Sequence, residues 1–228
     1  MGCSCKEGVR RLEEVVAALR APGGCPWDRE QTVESLKPFL IEEAYELLDA
    51  IDKKDVALHQ EELGDVLLQV ALQAQIRKEE GAFDLDAVAH GIADKLVRRH
   101  PHVFGDVEVS GTAEVLQNWE AIKRREGKQG DEKPKSPVAG VPAALPALLR
   151  AQRVQAKCAR SGIPLQTADA AREKIVTACE RIFDGGGDAA ATINFGELLF
   201  ALCTVAREGR VDLETALRDT TNKYTEGL

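Results

Sequence analysis

Aromatic side chains are few in this 228-residue chain, two Trp, two Tyr and six Phe, and stretches that alternate like strands are fewer still. That scarcity excludes a sheet-built core, because strands draw on β-branched and aromatic residues at period two. Ala, Leu, Glu, Arg and Val at helical spacing dominate instead, and the expected fold is all-α. The length suffices for one or two domains with a proper core. Positive charge is not in excess either: 30 Lys and Arg face 38 Asp and Glu, a net charge of −8. A general binder of nucleic acid needs the opposite balance, so nucleic acid is not an expected partner. Long apolar runs are missing, as is a secretory leader, and no membrane is expected.

Cysteine is also sparsely used. Cys3, Cys5, Cys25, Cys158, Cys179 and Cys203 have neither zinc-ligand spacing nor the density of a disulfide framework. A reducing cytoplasm is the compartment they fit. Met1-Gly2-Cys3 opens like an acylation signal, but Lys6 stands where that pattern wants Ser or Thr, and Cys3 and Cys5 are read as free thiols.

The chain is organised around residues 41–75, IEEAYELLDAIDKKDVALHQEELGDVLLQVALQAQ. Glu43/Glu46 and Glu62/Asp65 are i,i+3 pairs, so each places two carboxylates on one helical face one turn apart. A charged turn over residues 52–55 folds the two helices antiparallel and aims four carboxylates at one spot. On the first helix Leu36, Leu40, Ala44, Leu47 and Ile51 form an apolar stripe, with Glu43 and Glu46 beside it. On the second, Leu63, Val66, Leu67, Val70 and Ala74 form one stripe and Leu68, Leu72 and Ile76 another, with Glu62, Asp65 and Gln69 between them. Acids walled by apolar residues are expected in an interior cleft rather than on a solvated face. Two carboxylates about 4 Å apart repel by roughly 4 kcal/mol at an effective dielectric of about 20. Such a cluster requires protons or cations, and an all-oxygen donor set suits Mg²⁺ or Mn²⁺ better than zinc or copper. A carboxylate-held Mg²⁺ keeps positions for phosphate oxygens, which points to phosphate chemistry.

EEAYE, a spacer of fifteen residues and then ELGD resembles the E-E-x-x-E, spacer, E-x-x-D signature of the MazG family of all-α nucleoside triphosphate pyrophosphohydrolases. GGCPWDREQT, EEGAFDLDAV, DKLVRRHPHVFGDV and NWEAIK extend the likeness over most of residues 8–126. The resemblance implies hydrolysis of a nucleoside triphosphate to the monophosphate and pyrophosphate, with Mg²⁺ as cofactor and a homodimer as the assembly. It also implies phosphate contacts from Lys95, Arg98 and Arg99, which by spacing alone share one positive face near a helix C-terminus, and a base-stacking role for Trp119, which otherwise reads as a core closure.

Elsewhere the pattern is read element by element. A helix over residues 7–20 turns Val9, Leu12, Val15, Val16 and Leu19 inward and stops at Pro22-Gly23-Gly24. Trp27 is expected as an apolar plug and Asp28 as a helix N-cap. Gly81 ends the second acidic helix and Asp84 caps the next. His100 and His102, flanking Pro101, lack further ligands and are read as structural. A helix over 113–126 carries Trp119. Residues 127–142, rich in Lys, Pro and Gly, read as a linker between a catalytic unit over 1–126 and a second helical unit over 143–228.

The halves are alike. EGAFDLDAV and EGRVDLETA align without a gap, and LGDVL aligns with FGELL after a four-residue shift, about one helical turn. Glu62 and Asp65 then correspond to Asn194 and Glu197. With Lys174 opening the other helix, Thr177, Ala178 and Arg181 occupy the remaining acidic positions, and the second half is expected to lack hydrolase activity. The leading expectation is a Mg²⁺-dependent pyrophosphohydrolase in which Glu43, Glu46, Glu62 and Asp65 hold the metal. A relative restricted to particular nucleotides stands beside it, as does a nucleotide-sensing or scaffolding protein without turnover.

Overall fold

The structure is a computed structural model that describes residues 5–126, 136, 138–183 and 188–228. Its regular structure is helical throughout these residues, as the composition requires. The chain packs as two compact units, Met1–Val107 and Glu108–Leu228. This division counts the helix bearing Trp119 with the second unit, whereas the boundary after residue 126 followed motif coverage rather than packing. Residues 127–135 and 137 of the expected linker lie outside the described residues.

The first unit comprises α1 (Cys5–Arg20), α2 (Pro26–Glu30), α3 (Lys37–Lys53), α4 (Val56–Glu79), α5 (Leu85–Arg99) and α6 (Pro101–Phe104). Helices α3 and α4 form the expected hairpin. Lys54, at φ 56°, turns the chain, and the Asp55 carboxylate accepts from the Ala57 and Leu58 amides at 2.9 and 3.1 Å, capping α4. Asp84 caps α5 through the Ala87 amide at 3.0 Å, and Gly81, at φ 74°, supplies the left-handed turn before it. Asp55 fixes where α4 begins, two turns before Glu62. Asp55→Ala is expected to lower stability by about 1 kcal/mol in urea unfolding.

The core lies toward one end of this hairpin. Val16, Leu36, Ala71, Leu72, Ala74, Ile76 and Leu85 are buried together, with Leu12, Val33 and Phe39 packed against them. Arg20 ties that end shut. Its side chain is 7% exposed, pairs with Glu79 at 2.8 Å, and donates to the carbonyls of Asp28 and Gln31. Gly24 closes α1 because a Cβ there would collide with the carbonyl oxygens of Ala18 and Leu19.

Three details depart from expectation. Val9, Val15 and Leu19 are exposed, because α1 meets α2 and α4 along a strip narrower than its apolar face. Trp27 is 50% exposed and meets Phe39 edge to face at 5.6 Å instead of plugging the interior. Asp28 is buried within α2, and the residue at its N-cap is Cys25, since Pro26 takes the first helical position.

The second unit comprises α7 (Thr112–Glu126), α8 (Ala147–Arg160), α9 (Ala168–Phe183), α10 (Asp188–Glu208) and α11 (Leu213–Glu226). Small residues bring α9 and α10 close, with Ala171, Ala178, Ala201 and Cys203 buried. Gln155 on α8, almost fully buried, donates to the Phe200 carbonyl at 3.0 Å and so pins α8 to α10.

Candidate metal centre

Glu43 on α3 and Glu62 and Asp65 on α4 each bring a carboxylate oxygen within 4.8 Å of the other two. Helical spacing sets Glu62 and Asp65 one turn apart, and the Lys54 turn carries Glu43 across to them. Two oxygens on one Mg²⁺, each about 2.1 Å from it, lie at most about 4.2 Å apart, so small side-chain rotations complete a shared ligand set. Glu46 falls outside this group and is exposed, though its charge is felt by both Glu43 and Glu62.

The electrostatics are those of a cage needing positive charge. Burial, then the charges of Asp65, Glu46, Glu62 and Glu42, hold the Glu43 carboxyl above its ordinary range. Burial likewise raises Glu62, followed by Glu46, Asp65 and Glu61, with Lys53 opposing. Glu62 is 8% exposed, and its Oε2 is buried with no hydrogen-bond partner among the described residues. Gln69 Oε1, two turns further along α4, is in the same condition. A buried acceptor without a donor is costly, and a cation is the ligand that satisfies a carboxylate there. The residues present therefore fit a hard divalent ion held by oxygen.

The walls differ from the interior cleft that periodicity foretold. Leu36 and Ala50 are buried and Leu40 and Leu47 half-buried, but Ala44 and Ile51 are exposed. Leu63 and Leu67, placed by the pattern in an inner stripe, are 49% and 39% exposed. The core gathers around the later turns of α4, so the turns bearing the acids are covered on fewer sides in a single chain.

Lys95, Arg98 and Arg99 lie on the last two turns of α5, outside the carboxylate group, with Lys95 and Arg98 exposed and Arg99 half-buried. Trp119 lies on α7 in the second unit, 37% exposed, with Lys123 Nζ 5.9 Å from its ring centre. The Arg20 tie leaves no trace in residue type, because its partners at Asp28 and Gln31 are backbone carbonyls. Arg153, Lys157 and Arg160 form a cationic row on α8 for which i,i+4,i+7 spacing is the only sequence signal.

Fold and site together define an all-α protein with a carboxylate cage on a helical hairpin. Residues 31–104, which include that hairpin, match the MazG nucleotide pyrophosphohydrolase domain. The nucleoside triphosphate pyrophosphohydrolase/pyrophosphatase MazG of Thermotoga maritima is 42% identical over 224 residues, covering 97% of this chain and 85% of its own. The nucleoside triphosphate pyrophosphohydrolase of Escherichia coli K12 is 38% identical over 222 residues, covering 95% and 84%. An uncharacterized Bacillus subtilis protein, YabN, is 44% identical over 217 residues, covering 93% of this chain and 44% of its own. The chain belongs to the MazG family of nucleotide pyrophosphohydrolases, and so to the hydrolases.

Proposed function

We propose that this chain hydrolyses nucleoside triphosphates to the monophosphate and pyrophosphate, that the reaction depends on Mg²⁺, and that it takes place in the first unit. One observation carries the reading: a buried Glu62 carboxylate oxygen with no hydrogen-bond partner among the described residues stands in a 4.8 Å cluster with Glu43 and Asp65. Glu43, Glu62 and Asp65 would hold the cation, and Glu46 adds negative charge beside them. Mn²⁺ suits the same oxygen donors. When bound, the cation supplies charge neutralisation and Lewis-acid polarisation at the phosphates. Lys95, Arg98 and Arg99 offset the remaining triphosphate charge. Water oxygen bonds to the α-phosphorus, the bridging bond to the β-phosphate breaks, and pyrophosphate departs. Phosphorus NMR of the digestion products, with and without Mg²⁺, tests this directly. Monophosphate and pyrophosphate formed only with the metal are the expected products; diphosphate and phosphate would overturn the reading.

Residues 143–228, as a degenerate repeat of the first half, are without turnover. Asn194 and Glu62 are equally buried at 8%, and Asp212 caps α11 through the Thr215 amide as Asp84 caps α5 through that of Ala87. In place of a carboxylate cage stands a cavity of about 470 Å³ whose lining includes Lys174, Thr177, Ala178 and Arg181 beside Glu173 and Glu197. A cation, Arg181, at the position of Glu46, with Thr177 and Ala178 in place of the neighbouring acids, does not gather metal.

The working assembly is a homodimer. Ile41, Tyr45 and Leu48 on α3, Leu63 and Leu67 on α4, and Val88, Ile92 and Leu96 on α5 are apolar, spaced three or four apart on each helix, and all at least 37% exposed. Apolar stripes of this extent belong in an interface, and covering them would dry the turns that bear the acids. Ile92→Glu is expected to shift the protein from dimer to monomer in sedimentation velocity. A reducing cytoplasm agrees with free Cys25, Cys158, Cys179 and Cys203, and no helix among the described residues is long and apolar enough to cross a membrane.

A further inference from the structure

We propose that Gln69 is a positioning residue for the carboxylate cage: its side-chain oxygen accepts a hydrogen bond from water carried by the cation, and so fixes that ion beside Asp65. This role rests on the proposed binding of a divalent cation by Glu43, Glu62 and Asp65. It gives a task to a neutral side chain that neither the acidic pairs nor the core explains.

Glu62, Asp65 and Gln69 stand at i, i+3 and i+7 on α4 and therefore share one face over two turns. That face runs from the turns bearing the acids into the apolar core. Ala71 and Leu72 are buried in the core, and Leu68 and Val70 pack against it, so apolar residues flank Gln69 on both sides in the chain. Gln69 is itself only 6% exposed. Glutamine is mostly a surface residue, and leucine or methionine would fill such a place without burying a polar group. A buried amide there needs a partner.

No described residue supplies one. Gln69 Oε1 is buried without a hydrogen bond, and the amide as a whole makes none with any described residue. Long side chains on a helix lie back over the turn N-terminal to their own Cα, which sends the Gln69 amide toward Asp65, four residues earlier. Asp65 also makes no hydrogen bond or ion pair with any described residue. Two oxygen acceptors thus look for donors on the same face, one turn apart.

The chemistry of the acceptors decides what sits between them. An ionised carboxylate and an amide oxygen cannot satisfy each other, and the phosphate oxygens of a substrate are acceptors too. Water has two hydrogens to donate, one for each oxygen, and keeps its lone pairs for a cation. Hydrated Mg²⁺ keeps several of its waters when carboxylates bind it, so the donor arrives with the ion. Gln69 then acts on the ion through water, as groups that orient metal ligands do, rather than as a ligand itself.

The test compares the full chain with Gln69→Met and Gln69→Glu, using Mn²⁺ as the probe and no nucleotide. Methionine matches glutamine in helix propensity, so Gln69→Met removes the acceptor and leaves the helix. Without metal, that variant is expected to melt no lower than the parent, since no bonded amide is lost. Its Kd for Mn²⁺, read from the resonance of the free ion, is expected to rise about 10–100-fold. Gln69→Glu keeps an acceptor oxygen at the same reach and is expected to bind Mn²⁺ at least as tightly as the parent. A Gln69→Met Kd equal to the parent's overturns the proposal, as does a Gln69→Glu Kd as weak as that of Gln69→Met. A lower metal-free melting temperature for Gln69→Met would make the amide a structural group, and complete loss of Mn²⁺ uptake would make it a direct ligand; either overturns the role through water. Parent protein that takes up no Mn²⁺ would remove the metal centre as well, whereas parent uptake that Gln69→Met leaves unchanged removes the role of Gln69 alone.

Discussion

Asp65→Ala is expected to abolish pyrophosphate release while leaving the fold intact. The side chain is half-buried, makes no hydrogen bond or ion pair with any described residue, and stands on the middle turns of α4, where alanine is a better helix former. Nothing structural is removed. What is removed is one oxygen donor of the three within 4.8 Å. Even groups that only orient metal ligands change affinity or activity by about 10–100-fold, so losing a ligand itself is expected to lower turnover by more than about 100-fold. A coupled pyrophosphate assay on purified protein, run beside a thermal melt, separates lost chemistry from lost structure. Asp65→Ala protein that turns over at the parent rate would remove the assigned site.

Glu62→Gln is expected to do two opposite things, raising the melting temperature of the metal-free protein near pH ~7 by a few degrees and eliminating turnover. Glu62 and Glu43 bind protons more tightly in the folded chain than at the ordinary carboxylate value of 4.5, burial being the first cause in each. From that value up to the raised native one, the folded state carries protons that the unfolded state has released. Stability from these two groups is therefore greatest at low pH and falls as pH rises through that window. Glu79 and Glu114 work the other way. The Arg20 hydrogen bond on Glu79 and the Ser110 amide and hydroxyl on Glu114 lower their values, and their contribution is lost as pH falls. The difference between parent and Glu62→Gln melts, taken across pH without metal, isolates the Glu62 part. It is expected to widen as pH rises, and Mg²⁺ is expected to stabilise the parent more than the variant. A pH-independent difference would mean that the lone Oε2 is not under electrostatic stress.

The hairpin was readable because its signals are local. Acids at i and i+3 share a face by helical geometry alone, and Asp55 and Asp84 announce helix starts through a carboxylate that caps nearby amides. The walls of the cleft were not readable in the same way. Periodicity marks Leu63 and Leu67 as apolar and on one side, but whether that side meets this chain or another depends on tertiary partners. Glu46 shows the same limit at finer scale: it shares a face with Glu43, yet the hairpin brings Glu43 and not Glu46 into the three-oxygen group. Asp28 was misplaced by three positions because Pro26, rather than an acidic cap, begins α2. Trp119 illustrates how a motif names a residue without naming its surroundings, since its ring lines a cavity with α8 cations from far along the chain.

Paramagnetic Mn²⁺ offers the most direct examination of the carboxylate cage, because its resonance reports free ion as protein is added. The parent protein is predicted to remove Mn²⁺ saturably, and a Glu43→Gln, Asp65→Asn double variant, with two of the three carboxylates neutralised and the shapes kept, is predicted to leave it in solution. Uptake by that double variant equal to the parent's would contradict the assignment of these side chains as the ion's ligands.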